Sequence, residues 1–204
     1  DYVKPYYRND HGELYCGDCL SIMSALDGGC ADMVLCDLPY GTTACKWDIP
    51  LDLRSMWLEY RRATKSNSAI VLFAQTPFDK VLGCSNLELL RYELIWQKTH
   101  PTGHLNAKKM PMKAHENILV FYDKLPIYNP QKTSGHARKT SVKRRDDTQI
   151  YGEQSFGELT YDSTDRYPIS VLVFPSDKQR TALHPTQKPV ALFEYLIRTY
   201  TNEG

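Results

Sequence analysis

No apolar run in these 204 residues approaches the roughly 20 needed for a membrane-crossing helix. The stretch from Asp1 to Asp10 also lacks the basic and then apolar order of a secretion signal. Helical membrane proteins and signal-bearing secreted chains are thereby excluded. Cysteine is sparse: six thiols are too few for a disulfide scaffold at this length. Cys30, Cys36 and Cys84 stand in or beside apolar segments, where a buried, reduced thiol is expected, so the chain is placed in a reducing cytoplasm. Cys16 and Cys19 form a single Cys-x-x-Cys without a second such pair or a spaced pair of histidines, so no metal site is expected. Gly-x-Gly occurs nowhere, and there is no internal repeat.

An excess of either charge is missing too, with 25 basic against 24 acidic side chains. The balance is uneven along the chain. Lys132, Arg138, Lys139, Lys143, Arg144 and Arg145 fall within residues 132–145 without one acid, leaving 19 basic against 24 acidic elsewhere. Such a run is either a solvated loop or a phosphate-binding element. A hydrophobic fraction of 42% supplies one sizeable core rather than two.

Short apolar runs bounded by polar residues mark buried strands at Asp32 to Asp37 and Ser68 to Phe73, with further candidates at Tyr92 to Trp96, Glu116 to Tyr122 and Ser170 to Phe174. Leu53, Met56, Trp57 and Tyr60 recur at helical spacing between the first two. Pro77 before Phe78, Val81 and Leu82, and Pro189 before Leu192, Tyr195, Leu196 and Thr199, open two more helices. Alternating strands and helices predict a parallel α/β sheet. From Lys124 to Tyr167 the periodicity disappears, which predicts an insertion over 124–167 between a first part at 1–123 and a return to the sheet at 168–204.

Two loops carry the candidate chemistry. Asp37-Leu38-Pro39-Tyr40 follows a buried strand directly, where open α/β sheets bind ligands. A carboxylate there accepts hydrogen bonds, a proline stiffens the turn and a tyrosine stacks on planar ligands. His184-Pro185-Thr186-Gln187-Lys188-Pro189 precedes a helix, whose free N–H groups favour an anionic ligand. Each loop alone also reads as an ordinary turn or helix entry; their joint presence favours a site.

These segments, with Gly17-Asp18-Cys19-Leu20, Cys45-Lys46-Trp47-Asp48, Gln75-Thr76-Pro77-Phe78, His115 to Tyr122 and Arg166-Tyr167-Pro168, resemble the permuted, beta-class S-adenosylmethionine-dependent DNA amino-methyltransferases of phage and prophage type. The resemblance spans nearly the whole chain. It implies a doubly wound, Rossmann-like methyltransferase sheet with 124–167 as target-recognition insertion, in the cytoplasm of a bacterial or phage-infected cell. It implies catalysis by Asp37, Pro39 and Tyr40 on the N6 of a flipped adenine in double-stranded DNA. S-adenosylmethionine would be held by Asp18, Cys19, Asp37, Phe73, His184, Thr186, Gln187 and Lys188. DNA would meet Lys46, Trp47, Arg138, Lys139, Lys143, Arg144 and Arg145.

Leu38 stands where the family consensus has the first of two prolines. The family's glycine-rich cofactor loop should follow the last helix, so part of the cofactor half is expected to be missing from 1–204. Cytosine-N4 methylation is the alternative, although that branch usually carries serine in place of Asp37; an inactive DNA-binding remnant is the other. No Pro-Cys pair is present to serve cytosine-C5 chemistry. The reading involves no membrane, is compatible with a homodimer, and leaves a restriction endonuclease partner open.

Overall fold

The structure, a computed structural model, describes residues 4–43, 45–143, 159–177 and 186–203. His184, Arg144 and Arg145 lie outside the described residues. The described chain forms two compact units, one of residues up to Asn129 together with 170 onward, the other of 130–169.

The first unit opens with a hairpin, β1 (Tyr7–Asn9) and β2 (Gly12–Leu14), and a short helix α1 (Cys19–Ser24). Then follow β3 (Ala31–Asp37), α2 (Leu53–Ala63), β4 (Thr64–Ala74), α3 (Phe78–Ser85), β5 (Leu90–Thr102) and β6 (Lys113–Phe121). After the second unit the chain returns as β9 (Val171–Phe174) and α4 (Val190–Tyr200). The sheet order is β3-β4-β6-β5-β9.

Strict alternation along β4 divides the core. Ile70, Leu72 and Ala74 face Met56, Trp57 and Tyr60 of α2 and Phe78 and Leu82 of α3. Ala69, Val71 and Phe73 face Leu192, Leu196 and Tyr200 of α4. Helices thus cover both sides, the doubly wound arrangement, and β4 reads as a continuous apolar run because neither face is wet. The Trp57 indole N–H donates to the Ser85 hydroxyl at 2.8 Å, joining α2 to α3. No helix among the described residues is long and apolar enough to cross a membrane.

The sheet is mixed, where the strand and helix alternation predicts a parallel one. β3, β4, β5 and β9 run one way and β6 runs against them. β6 follows β5 by a turn that begins at Gly103, with φ of 90°, and slots between β5 and β4. Apolar periodicity reports burial and carries no strand direction, which is why the reversal was invisible. Cys30 and Cys84 are exposed rather than buried: one precedes β3, and the other lies on α3 away from the buried Phe78, Leu82 and Gly83.

In the second unit, β7 (Lys139–Lys143) pairs antiparallel with β8 (Leu159–Ser163). Thr133 and Arg166 exchange backbone hydrogen bonds of 3.0 and 2.8 Å at its base. Residues 124–129 stay with the first unit, because Asn129 donates its backbone N–H to the Thr199 carbonyl and its side-chain amide to the Thr201 carbonyl, both at 2.8 Å.

Candidate active site

Sheet register determines which side chains meet. Asp37 pairs with Phe73 at the carboxyl ends of β3 and β4, and the antiparallel β6 brings its amino end to that same edge. Glu116 there lies opposite Trp96, two residues before Lys98. Lys188, from the segment before α4, reaches the same place. Together they border a cavity of about 660 Å³, large enough for a nucleoside-sized ligand.

Both carboxylate oxygens of Asp37 are engaged. Oδ1 accepts from the Tyr40 hydroxyl at 2.8 Å, and Oδ2 accepts from the Lys188 ammonium at 2.6 Å. Lys188 Nζ also lies 3.4 Å from Glu116 Oε2, while Lys98 Nζ donates to Glu116 Oε1 at 2.6 Å. The result is a row of alternating charge: Asp37, Lys188, Glu116, Lys98. Lys188, Glu116 and Lys98 are only 8%, 11% and 12% exposed at their side chains, so each charge depends on its neighbours for compensation. Lys188 Nζ sits 5.6 Å from the Tyr40 ring centre and 5.5 Å from that of Phe73, and Lys98 Nζ 5.1 Å from that of Trp96. Two buried oxygens in this lining, Glu116 Oε2 and Gln187 Oε1, have no hydrogen-bond donor among the described residues.

Tyr40 is a ring stacked on Phe78, with centroids 5.4 Å apart and planes at 24°. Burial, reinforced by the Asp37 charge beside it, pushes its hydroxyl well above the usual tyrosine range, so Tyr40 remains a donor at every working pH. The loop that holds Tyr40 is clamped from below. Asp48 accepts the backbone N–H groups of Gly41, Thr42 and Thr43 at 2.9, 2.9 and 2.7 Å. Burial raises the Asp48 carboxyl, but these bonds and the Thr43 hydroxyl outweigh it and hold the group at about 2. Gly41 has φ of 66°, and a Cβ there would stand 2.5 Å from Pro50 Cγ. Only glycine fits that turn. Leu38, where the resemblance expects proline, is buried in the core shared with α2 and α3 and anchors the loop.

Of the residues singled out in sequence, Asp37, Pro39, Tyr40, Trp47, Thr186, Gln187 and Lys188 line this cavity. Asp18 and Cys19 do not. Asp18 caps α1, its Oδ1 accepting the Ser21 N–H and hydroxyl at 2.9 and 2.8 Å, and Cys19 is exposed on that helix. Phe73 is wholly buried and outside the lining, behind Phe193, stacked on it at 5.3 Å, and Lys188, both of which line the cavity. Lys46 is exposed and outside the lining. At the start of α4 the first N–H, from Val190, donates to the Asp177 carboxylate at 2.8 Å. In the second unit, Lys139 and Lys143 are exposed on β7, and Arg138 makes a two-pronged pair with Asp162 at 2.7 and 2.6 Å. Glu116, Lys98, Trp96 and Asp48 were missed in the sequence, although a charge at the end of an apolar run, as in Trp96-Gln97-Lys98 and Glu116-Asn117-Ile118, is a signal that could have found two of them.

The sequence profile of the N6/N4 methyltransferases, described as DNA methylase, matches residues 31–204. The chain belongs to this DNA methylase family. Among solved structures, the methylase resembles the PvuII DNA methyltransferase, titled cytosine-N4-specific, with a TM-score of 0.65 at 13% identity, over 98% of this chain and 74% of that one. A structure titled M1.HpyAVI-SAM complex matches with a TM-score of 0.54 at 20% identity, over 92% of this chain and 76% of that one. A further M1.HpyAVI structure gives 0.52 at 17% identity, over 92% and 75%. At these identities the likeness is one of fold, and the methylase has the Rossmann-like methyltransferase architecture.

Proposed function

We propose that this DNA methylase transfers a methyl group from S-adenosylmethionine to the exocyclic N6 of an adenine flipped out of double-stranded DNA. The observation that carries the reading is the Asp37 carboxylate at the sheet edge, aligned by Tyr40 inside the cavity. An aniline-like amine is a poor nucleophile because its lone pair is delocalised into the ring. Acceptors on its two N–H groups favour the pyramidal nitrogen that can attack, and Asp37 with the carbonyl of Leu38 or Pro39 supplies them. Tyr40, backed by Phe78, offers a stacking surface for the base. Extruding the base costs a few kcal/mol, offset by stacking and by phosphate contacts. Asp37 rather than serine at this position supports adenine over cytosine.

The cavity's donor set suits the cofactor. Gln187 Oε1 is a buried acceptor without a donor among the described residues, and Thr186, Gln187 and Lys188 would flank the methionine end beside Phe193. When bound, S-adenosylmethionine supplies an electrophilic methyl sulfonium. Asp18, Cys19, Phe73 and His184 are assigned to it by resemblance. Lys139 and Lys143, with Arg138 once released from Asp162, would meet DNA phosphates, and Lys46 and Trp47 would meet DNA near the target. The role of 124–167 in target recognition belongs to the same proposal.

Mass spectrometry of nucleosides from DNA treated with the full-length protein and labelled cofactor tests the reading. N6-methyladenine is expected. N4-methylcytosine would move the enzyme to the other branch, and label in neither would leave a DNA-binding remnant.

A further inference from the structure

We propose that Glu116 is a positioning residue: a second berth for the Lys188 ammonium, which shifts from Asp37 toward Glu116 when the target amine arrives. The inference rests on Asp37 being the amine acceptor.

Asp37 is not ready for that task in the structure. Tyr40 holds Oδ1, and Lys188 holds Oδ2 in a charge-assisted bond of 2.6 Å that lowers its strength as an acceptor. The difficulty grows along the reaction, because the attacking nitrogen gains positive charge as the methyl group transfers. An ammonium fixed on the same carboxylate oxygen opposes that charge at close range.

The structure holds the remedy next door. Glu116 Oε2 is buried, makes no hydrogen bond among the described residues, and lies 3.4 Å from the same Nζ. A shift of about 0.6 Å would bring that contact to an ordinary charge-assisted length and stretch the one to Asp37 Oδ2 to at most about 3.2 Å, which weakens the hold on Asp37 without breaking the ion pair. The move leaves the buried charge unchanged, since Asp37 and Glu116 together face Lys188 and Lys98 in either position. Lys98 remains on Glu116 Oε1 and keeps Oε2 turned toward Lys188. The rings of Tyr40 and Phe73, both about equally distant from Nζ, flank the ammonium at the start of its path.

Glu116→Gln in the full-length protein tests this, since it preserves shape and removes the charge that attracts Lys188. At saturating DNA and cofactor, the single-turnover rate should fall about tenfold or more, while the affinities for both stay within about threefold. Glu116→Gln combined with Lys98→Met restores the balance of buried charge and guards against a folding defect. It should be equally slow while melting close to the wild-type temperature. Wild-type turnover in either variant overturns the berth. So does a loss confined to substrate or cofactor affinity. Asp37→Ala, measured alongside, separates the two levels. If that variant methylates normally, the reading of the site falls. If it is inactive while Glu116→Gln keeps wild-type turnover, only the berth falls.

Discussion

Asp48→Asn isolates the clamp beneath the Asp37–Tyr40 loop. The wild-type carboxylate gathers three backbone N–H groups, and its pKa drops from 3.8 to about 2. A shift of this size corresponds to roughly 2 kcal/mol of folding free energy at neutral pH. An asparagine presents one acceptor oxygen, and its NH2 group would face a backbone N–H, so one or more loop donors lose their partner. The variant should therefore be less stable at pH 7 by on the order of 2 kcal/mol, read as a lower urea midpoint at unchanged m-value. The sign of the pH dependence follows from the depressed pKa. The unfolded chain takes up the proton first, so the clamp contributes fully above pH 3.8, weakens as pH falls, and is lost below about 2. Urea curves for both proteins at pH 7, 5, 4, 3 and 2 should converge toward the acid end. A stability gap that is absent at pH 7, or constant across the series, would refute the clamp.

Three further outcomes are expected. Asp37→Ala should abolish methyl transfer while DNA binding stays within several-fold, because it removes an acceptor used in the transition state; wild-type single-turnover rates would withdraw the assignment. Tyr40→Phe should keep base binding and lose part of the rate through the missing bond to Asp37, whereas Tyr40→Ala should also lose about 1 to 3 kcal/mol of base contact. Equal base-binding losses in the two variants would point to the hydroxyl instead of the ring. Replacing Lys139 and Lys143 by alanine should weaken binding to all DNA sequences alike and flatten the slope of log K against log salt by about 2 × 0.9 units; an unchanged slope returns that strand to the solvent.

Local pattern made much of the architecture readable. The strand of Ala31–Asp37, the loop that follows it and the helices at Leu53–Ala63 and Val190–Tyr200 are written in runs and periods a few residues long, since burial on one or two faces imposes them directly. The place of Asp37 at the sheet edge was legible because a strand end and a turn are adjacent in sequence. What tertiary structure alone decided involves distant residues. Strand direction within the sheet depends on pairing, so β6 could be found as an apolar run without its reversal being seen. The Arg138–Asp162 pair spans a hairpin, and counting charge along residues 132–145 cannot reveal the acid that faces it. The row of Asp37, Lys98, Glu116 and Lys188 joins positions up to 151 apart. No local signal encodes such a row. Lys98, Glu116 and Lys188 are stable in their covered places only because the fold delivers an opposite charge to each.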